Sequence, residues 1–251
     1  MASTQKKWWN ELFIPFRPVF DSISARESNA QAHYAIKKLK LKPGMKFLDC
    51  PCGIGRLSIP MAKKSIKVTG VDLTQSYIDE LRNKAKKQKL NIALDVKDMR
   101  RINYDSEFNG AGNLWTSFGF FDKESDNLLV LKKMLKALKP GGMFMLSLIN
   151  RDWLVANFEH TGWQEYKNLR ILEKRKFDYQ NSKILSRWTL MQGDREKIID
   201  VDLRVYSYHE LAGMLDSVGF RNIEGFGTTK DEPIDRNERM MYIIATKPKS
   251  K

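Results

Sequence analysis

The chain has 251 residues, of which 42% are hydrophobic, 11% aromatic and 29% charged, the balance of an ordinary folded protein and not of a disordered or fibrous one. That length suffices to bury a full α/β core, either as one large domain or as a domain carrying an insertion. The formal net charge of +14 would steer phosphate-rich or acidic partners, but the lysines recur at 37–46, 63–67, 84–89 and 132–139, in segments that read as helix faces and helix ends. The charge therefore reads as solvated surface, and nucleic acid is not the expected partner.

No apolar run reaches the roughly 20 residues needed to span a bilayer, and the N-terminus MASTQKKWWNELF lacks the continuous apolar stretch of a signal peptide. A cytoplasmic protein with no membrane partner is the expectation. The two cysteines, Cys50 and Cys52, are separated by a single proline, too close for an ordinary disulfide and too few for a zinc site, so no metal is expected.

In chain order, the first 40 residues carry Trp8, Trp9, Leu12, Phe13, Phe16 and Phe20 at approximately helical spacing, interrupted by Pro15 and Pro18. They read as a helix packed on the edge of a sheet. From Lys46 onward short β-rich runs alternate with longer helical patterns, the signature of βαβ units around a parallel sheet. KFLDCP (46–51) reads as a buried first strand and GRLSIPMAKK (55–64) as the helix after it. KVTGVD (67–72) is the second strand, after which the Thr74 side chain can cap the helix QSYIDELRNKAKKQ. NIALDVKDM (91–99) and FNGAGNLWTS (108–117) supply the third and fourth strands. A helix at 126–138 is stopped by Lys139, Pro140, Gly141 and Gly142, and MFMLSLIN reads as a fully buried fifth strand.

The rhythm breaks at 151–204, where NLRILEKRKF, KILSRWTLMQ and EKIIDVDLRV look like three successive strands joined by NS and GD turns, an antiparallel insert. Ser207 and Glu210 then form a capping box for the helix SYHELAGMLDSVGF, followed by the strands RNIEGFGT and RMMYIIATKP. The fold class is α/β: a doubly wound, mostly parallel seven-stranded sheet with an antiparallel β insert after strand five.

The densest site signal is the loop Asp49-Cys50-Pro51-Cys52-Gly53-Ile54-Gly55-Arg56, where the first strand turns into the first helix. In a doubly wound sheet this is the ligand crevice. Asp72 ends the second strand, where a carboxylate can accept both hydroxyls of a ribose. A nicotinamide cofactor competes for such a loop, but its fingerprint wants a third glycine where Ser58 stands.

LDCPCGIGR, VTGVDLT, the Asp98-Met99 pair, GNLWTSFGFFD and the LKPGG turn before MFMLSLINRDW together resemble the class I S-adenosylmethionine-dependent methyltransferases, specifically those whose first motif reads DxPCGxGR. The resemblance runs from about Lys46 to Pro248. It implies S-adenosylmethionine as cofactor, with Asp49, Gly53 and Gly55 around its methionyl part and Cys50 and Pro51 in the same loop, Pro51 standing where many members have glycine. It further implies Asp72 on the ribose hydroxyls, Leu73 against the adenine, Asp98 accepting from the adenine amino group with Met99 beside it, and Asn113 and Trp115 as the floor next to the methyl group. What it implies for N-terminal segments is a lid, with Trp9 offering an aromatic face to the sulfonium cation and Arg26 or Arg17 meeting the cofactor carboxylate.

For the acceptor side the candidates are Ser117, Phe118, Arg151, Trp188, Arg204 and Tyr206 as pocket wall, with His160 as general base. The expected organisation is an N-terminal helical lid at 1–40, a cofactor domain at 41–150 and 205–251, and an acceptor cap at 151–204, in a monomer or homodimer. The expected reaction is methyl transfer to a nitrogen or oxygen of a small molecule. An RNA or protein methyltransferase and a non-catalytic S-adenosylmethionine-binding protein stand as alternatives. The fourth strand ends Asn113-Leu-Trp-Thr116 and lacks the proline pair that resembles amino-adenine methylases.

Overall fold

The computed structural model describes residues 8–249; positions 1–7 of the expected lid and 250–251 of the expected cofactor domain lie outside the described residues. The N-terminal aromatic segment folds as α1 (Trp8–Leu12), α2 (Arg17–Ser22) and α3 (Ala25–Lys38). Pro18 sits in the first turn of α2, where its missing N–H costs nothing.

The parallel core follows as β1 (Lys46–Asp49), α4 (Ser58–Lys63), β2 (Lys67–Asp72), α5 (Gln75–Lys87), β3 (Ala93–Val96), β4 (Phe108–Asn113), α6 (Glu124–Ala137) and β5 (Leu138–Ile149). After α7 (Arg151–Ala156) come β6 (Thr161–Tyr166), β7 (Leu169–Asp178), β8 (Lys183–Gln192) and β9 (Arg195–Arg204), then α8 (Tyr208–Val218), β10 (Arg221–Phe226) and β11 (Met240–Thr246). The main sheet has the order β10-β11-β5-β4-β1-β2-β3. β1 to β5 are mutually parallel, and β11 runs antiparallel to both β5 and β10. Strand order reverses at β1, between β2 and β4, so the crevice opens beyond the carboxyl ends of these strands. Phe47, Leu48, Phe144 and Leu146 are fully buried, as strands covered on both faces require.

Local differences from the sequence reading have local causes. α4 starts at Ser58, not Gly55, because Gly53 (φ +53°) and Gly55 (φ +81°) are left-handed, a conformation that ends any helix. Thr74 precedes α5 but makes no side-chain cap; the Thr74 N–H donates to Asp72 Oδ1 at 2.8 Å. The LKPGG segment belongs to β5, with Leu138 opposite Phe108. The capping box of Ser207 and Glu210 is present at α8.

The insert is a four-stranded antiparallel sheet in the order β6-β7-β8-β9, one strand more than the three expected, with α7 leading into it. TGWQEY in β6 lacks the β-branched alternation that marks a strand. It pairs antiparallel with β7 from Thr161 opposite Lys174 to Tyr166 opposite Leu169, and Gly162 lies beside the Arg175 guanidinium. The insert is not a separate globule: Leu169, Ile171, Ile199 and Val201 on its inner face share one buried cluster with Trp8, Leu12, Phe120 and the main sheet. Gly119 (φ +96°) makes the joint, its carbonyl accepting from the Arg204 N–H at 3.0 Å while a Cβ there would lie 2.2 Å from the Arg204 carbonyl oxygen.

Candidate active site

At the carboxyl end of β1, Asp49 is buried and its Oδ2 accepts from Ser58 Oγ at 2.5 Å. Burial pushes its carboxyl up to about 7 against the Ser58 hydrogen bond. The chain then passes through a cis Cys50–Pro51 bond to Gly53, whose N–H donates to Asp72 Oδ2 at 2.8 Å. With Thr74 N–H on the other oxygen, two backbone donors fix the Asp72 carboxylate, each oxygen retaining a lone pair for a ligand; burial raises its pKa while those donors oppose the rise. Gly53 itself has open space where a Cβ would stand, so a ligand can approach the bare backbone there.

Beyond β3, burial would raise the Asp98 carboxyl, but hydrogen bonds and charge from Arg100 (Nη2 at 2.6 Å) hold it below the usual range. After β4 the chain turns through two consecutive left-handed residues, Trp115 (φ +66°) and Thr116 (φ +57°), a conformation costing on the order of 1–3 kcal/mol per non-glycine residue. Ser147 of β5 holds it: Trp115 N–H donates to Ser147 Oγ and Thr116 N–H to the Ser147 carbonyl, both at 2.9 Å. The Arg56 guanidinium lies 5.3 Å from the Trp115 ring centroid and donates to Gln31 at 2.7 Å. Its pKa is lowered by burial, and no carboxylate is within ion-pair distance of it among the described residues.

The aromatic stripe of α1 and α2 lies across this crevice. Phe20 is 5.3 Å from Trp115, and Phe16 is 5.8 Å from Phe20 and 5.6 Å from Trp188 of β8. One end is tied to the insert by Trp8 Nε1 on the Asp202 carbonyl at 3.0 Å. The other is tied to α5 by Arg17, which donates twice to Glu80 at 2.6 and 2.7 Å, and by the Tyr77 hydroxyl on the Phe13 carbonyl. Beneath it is a cavity of about 990 Å³, walled on one side by the loop after β1 and on the other by the inner face of β6 to β9.

Of the residues anticipated from sequence, Trp9, Asp49, Cys50, Pro51, Gly53, Asp72, Leu73, Asp98, Met99, Trp115, Ser117 and Trp188 line this cavity. The others lie elsewhere, each for a visible reason. Gly55 faces Leu81 of α5, where a Cβ would come within 2.1 Å, so it serves loop packing. Asn113 is fully buried behind Met99, with Nδ2 3.5 Å from its sulfur and Oδ1 without a partner. Arg26 is exposed on α3 outside the cavity, and Arg17 is occupied by Glu80 and Asp21. Phe118 and Tyr206 are buried in the core with ring centroids 5.3 Å apart. Arg151 and Arg204 line a separate polar cleft, Arg204 bonded to Glu210. His160 is exposed, its ring 5.3 Å from Phe158.

Among the cavity residues that the sequence reading did not pick out are Arg56, Glu173, Arg175 and Ser147. Arg56 stood in the DxPCGxGR motif and carried no role. Glu173 and Arg175, paired at 2.8 Å, share the inner face of β7 with Leu169, Ile171 and Phe177, a period-two pattern that could have found them. Ser147, inside an apolar run, gave no signal.

The methyltransferase domain family model matches residues 41–199. The ubiquinone biosynthesis O-methyltransferase of Coxiella burnetii (strain Dugway 5J108-111) is 30% identical over 186 residues, 73% of this chain and 75% of that protein. Among solved structures, an S-adenosylmethionine-dependent methyltransferase from Clostridium acetobutylicum ATCC 824 is similar with a TM-score of 0.78 at 16% identity, covering 96% of this chain and 99% of its own. The CcbJ methyltransferase from Streptomyces caelestis gives 0.77 at 15% identity, covering 94% and 96%; at these identities the likeness is one of fold. The chain belongs to the class I S-adenosylmethionine-dependent methyltransferases. It is an enzyme, and S-adenosylmethionine is its cofactor. No described helix is long and apolar enough to cross a membrane.

The residues present fit that cofactor. The carboxylates of Asp49, Asp72 and Asp98 and the rings of Trp115, Phe20 and Tyr77 line the crevice, surroundings that favour a sulfonium cation. The lone pairs left on Asp72 match a pair of hydroxyls, and Arg56, which feels Glu27 and Asp49 but is in direct ion-pair contact with neither, is a cation at the same crevice.

A pH dependence follows from Asp49. Its raised pKa means that the folded state holds this proton more tightly than the unfolded chain, so the associated stability is present below pH 3.8 and is lost as pH rises through about 7. Binding of a cationic cofactor beside the ionised Asp49 carboxylate would have the opposite sign. Calorimetric affinity is expected to fall as pH drops from 8 to 6, by up to about tenfold per unit below the pKa, and Asp49→Asn is expected to flatten that profile.

Proposed function

We propose that this enzyme transfers the cofactor's methyl group to an oxygen or nitrogen of a small, ring-bearing acceptor held between the aromatic N-terminal segment and the insert. The carrying observation is the roofed cavity itself. Its acceptor half is walled by Phe16, Trp153, Trp188 and Tyr166, and its charges balance, Glu159 and Glu173 against Arg175 and Arg239. A chamber of this kind favours a compact molecule over an RNA strand, which would call for an open basic groove. The curated relative named as an O-methyltransferase supports the same acceptor class. On this reading 41–150 with 205–251 form the cofactor unit, 151–204 the acceptor cap and 1–40 the lid of a cytoplasmic monomer or homodimer.

When bound, the cofactor supplies a methyl group already activated on a sulfonium. The chain's own residues therefore contribute alignment and exclusion of water. Asp72 would hold the ribose, Leu73, Asp98 and Met99 the adenine, and Asp49 and Arg56 the charged methionyl end. Trp115, fixed by Ser147, forms the floor beside the methyl group. Phe16, Phe20 and Trp188 keep water out, and the Glu173–Arg175 pair offers an acceptor and a donor side by side to the substrate's polar substituents. No general base is assigned, since His160 is on the surface. The test is S-adenosylhomocysteine release across a panel of phenols, hydroxylated rings and amines. Turnover on at least one class supports the reading; inertness across the panel combined with methylation of RNA or a protein overturns it.

A further inference from the structure

Sequence reasoning assigned the lysines to solvated surface, but the fold gathers them at one pole. Lys40 after α3, Lys64 after α4, Lys89 after α5 and Lys139 after α6 lie at the amino ends of the parallel strands, where β1 and β2 begin with Lys46 and Lys67 side by side in register. All six are exposed and none has an ion-pair partner among the described residues. Arg221, opening β10, and Lys247, following β11, carry the row to the far edge of the sheet. The acidic residues at this pole are Asp105, Glu107 and Asp216, and two of them are already paired, Asp105 with Lys136 at 3.7 Å and Asp216 with Arg221 at 2.9 Å. The eight cations named here against three acids make this pole a concentrated part of the positive charge of the described residues.

Favourable contact with helix C-termini accounts for a lysine or two per helix. It does not account for Lys46 and Lys67 at strand starts, nor for the scarcity of acids between them. The composition of the pole also indicates what it meets. The cations are almost all lysine, mobile point charges lacking the planar fork that arginine brings to individual phosphates. The exposed large hydrophobic residues, Ile14, Leu73, Val96, Trp163, Leu172, Tyr179, Leu185 and Ile198, all lie elsewhere, and half-buried Tyr104, beside Asp105, packs its ring on Phe108. Among the described residues the pole therefore has no fully exposed aromatic ring to stack on a base and no exposed apolar wedge to insert. A broad, lysine-rich surface of this kind matches a diffuse sheet of negative charge.

We propose that this pole docks the enzyme electrostatically on an anionic lipid surface. The cofactor crevice opens at the opposite ends of the strands, so a docked molecule holds its N-terminal aromatic segment and insert toward the aqueous side. Acceptor would then enter from water and not from the bilayer. Binding of this kind accumulates from individual lysines and is screened by salt.

The test is sedimentation of the full chain with large vesicles, either pure phosphatidylcholine or containing about one-third phosphatidylglycerol, at about 0.1 M salt. Expected is binding at least about tenfold tighter to the anionic vesicles, lost at about 0.5 M salt. The combined variant Lys46→Gln, Lys64→Gln, Lys67→Gln and Lys89→Gln is expected to weaken it by about a hundredfold or more, with S-adenosylhomocysteine affinity unchanged as the check on folding. Equal binding to both vesicle types would overturn the proposal, as would retention of vesicle binding by the folded variant. If the variant does not fold, the wild-type comparison of lipids and salt decides alone. Displacement from the vesicles by stoichiometric unstructured RNA at the same salt would reassign the face to nucleic acid and overturn it too.

Discussion

Asp72→Ala is expected to weaken S-adenosylmethionine and S-adenosylhomocysteine binding by about a hundredfold or more, from a micromolar starting point near −8 kcal/mol. Two effects combine. The ribose hydroxyls lose a charged acceptor, and hydrogen bonds to charged groups are worth about 1.5–3 kcal/mol each. In addition, the Gly53 and Thr74 N–H groups, both held by this carboxylate at 2.8 Å, lose their partner, so the loop after β1 is no longer fixed to the end of β2. Asp72→Asn, which keeps one acceptor oxygen, should recover part of the loss. Calorimetry showing undiminished binding by the alanine variant would remove Asp72 from the cofactor site.

Replacing 151–204 by a short Gly/Ser linker is expected to reduce methyl transfer to background while leaving most of the cofactor affinity. The geometry permits the excision: the Arg151 N–H reaches the Tyr206 carbonyl at 3.4 Å, so the two ends of the insert already meet. Asp49, Asp72, Asp98 and Trp115, on the loops after β1, β2, β3 and β4, remain. What is lost is the chamber wall carrying Ile171, Glu173, Arg175 and Trp188, and the anchor of Trp8 on the Asp202 carbonyl. Water would then enter beside the methyl group and the acceptor would have no fixed pose, each a large part of the rate in a reaction that depends on alignment. The Leu169, Ile171, Ile199 and Val201 contacts are also removed, so a lower melting temperature is expected; cofactor binding by the shortened chain establishes that it has folded. A folded, shortened protein that still methylates its acceptor would make the insert structural and the assigned acceptor wall wrong.

The loops after β1 to β4 that line the cavity were legible in the sequence because their requirements are local. A glycine that must leave its backbone bare (Gly53), a carboxylate at a strand end (Asp72) and a buried strand each mark themselves within a few residues. On the insert side three antiparallel strands were legible, but most of the side chains chosen there lie outside the cavity. Arg151, Arg204, Tyr206 and His160 were chosen by chemical type, yet they sit at element ends and in connections: Arg151 opens α7, His160 precedes β6, Arg204 ends β9 and Tyr206 follows it, where no periodicity says which way a side chain turns. Arg204 turned to Glu210 and Tyr206 turned into the core, while Glu173 and Arg175, which look like ordinary surface charges, point inward. β6 was missed because TGWQEY carries no strand pattern of its own and is held by pairing with β7 across the sheet. The pole of lysines was visible as a count and invisible as a place, because only the winding of the helices brings their ends to one side.

The roofed chamber is expected to select a small molecule as methyl acceptor. This is tested most directly by incubating the enzyme with S-adenosylmethionine carrying a radiolabelled methyl group and a cell extract separated into metabolite, RNA and protein fractions, then following the label. Label is predicted in the metabolite fraction, abolished by Asp72→Ala and by removal of the insert. Label accumulating in RNA or protein, with none in metabolites, would contradict it.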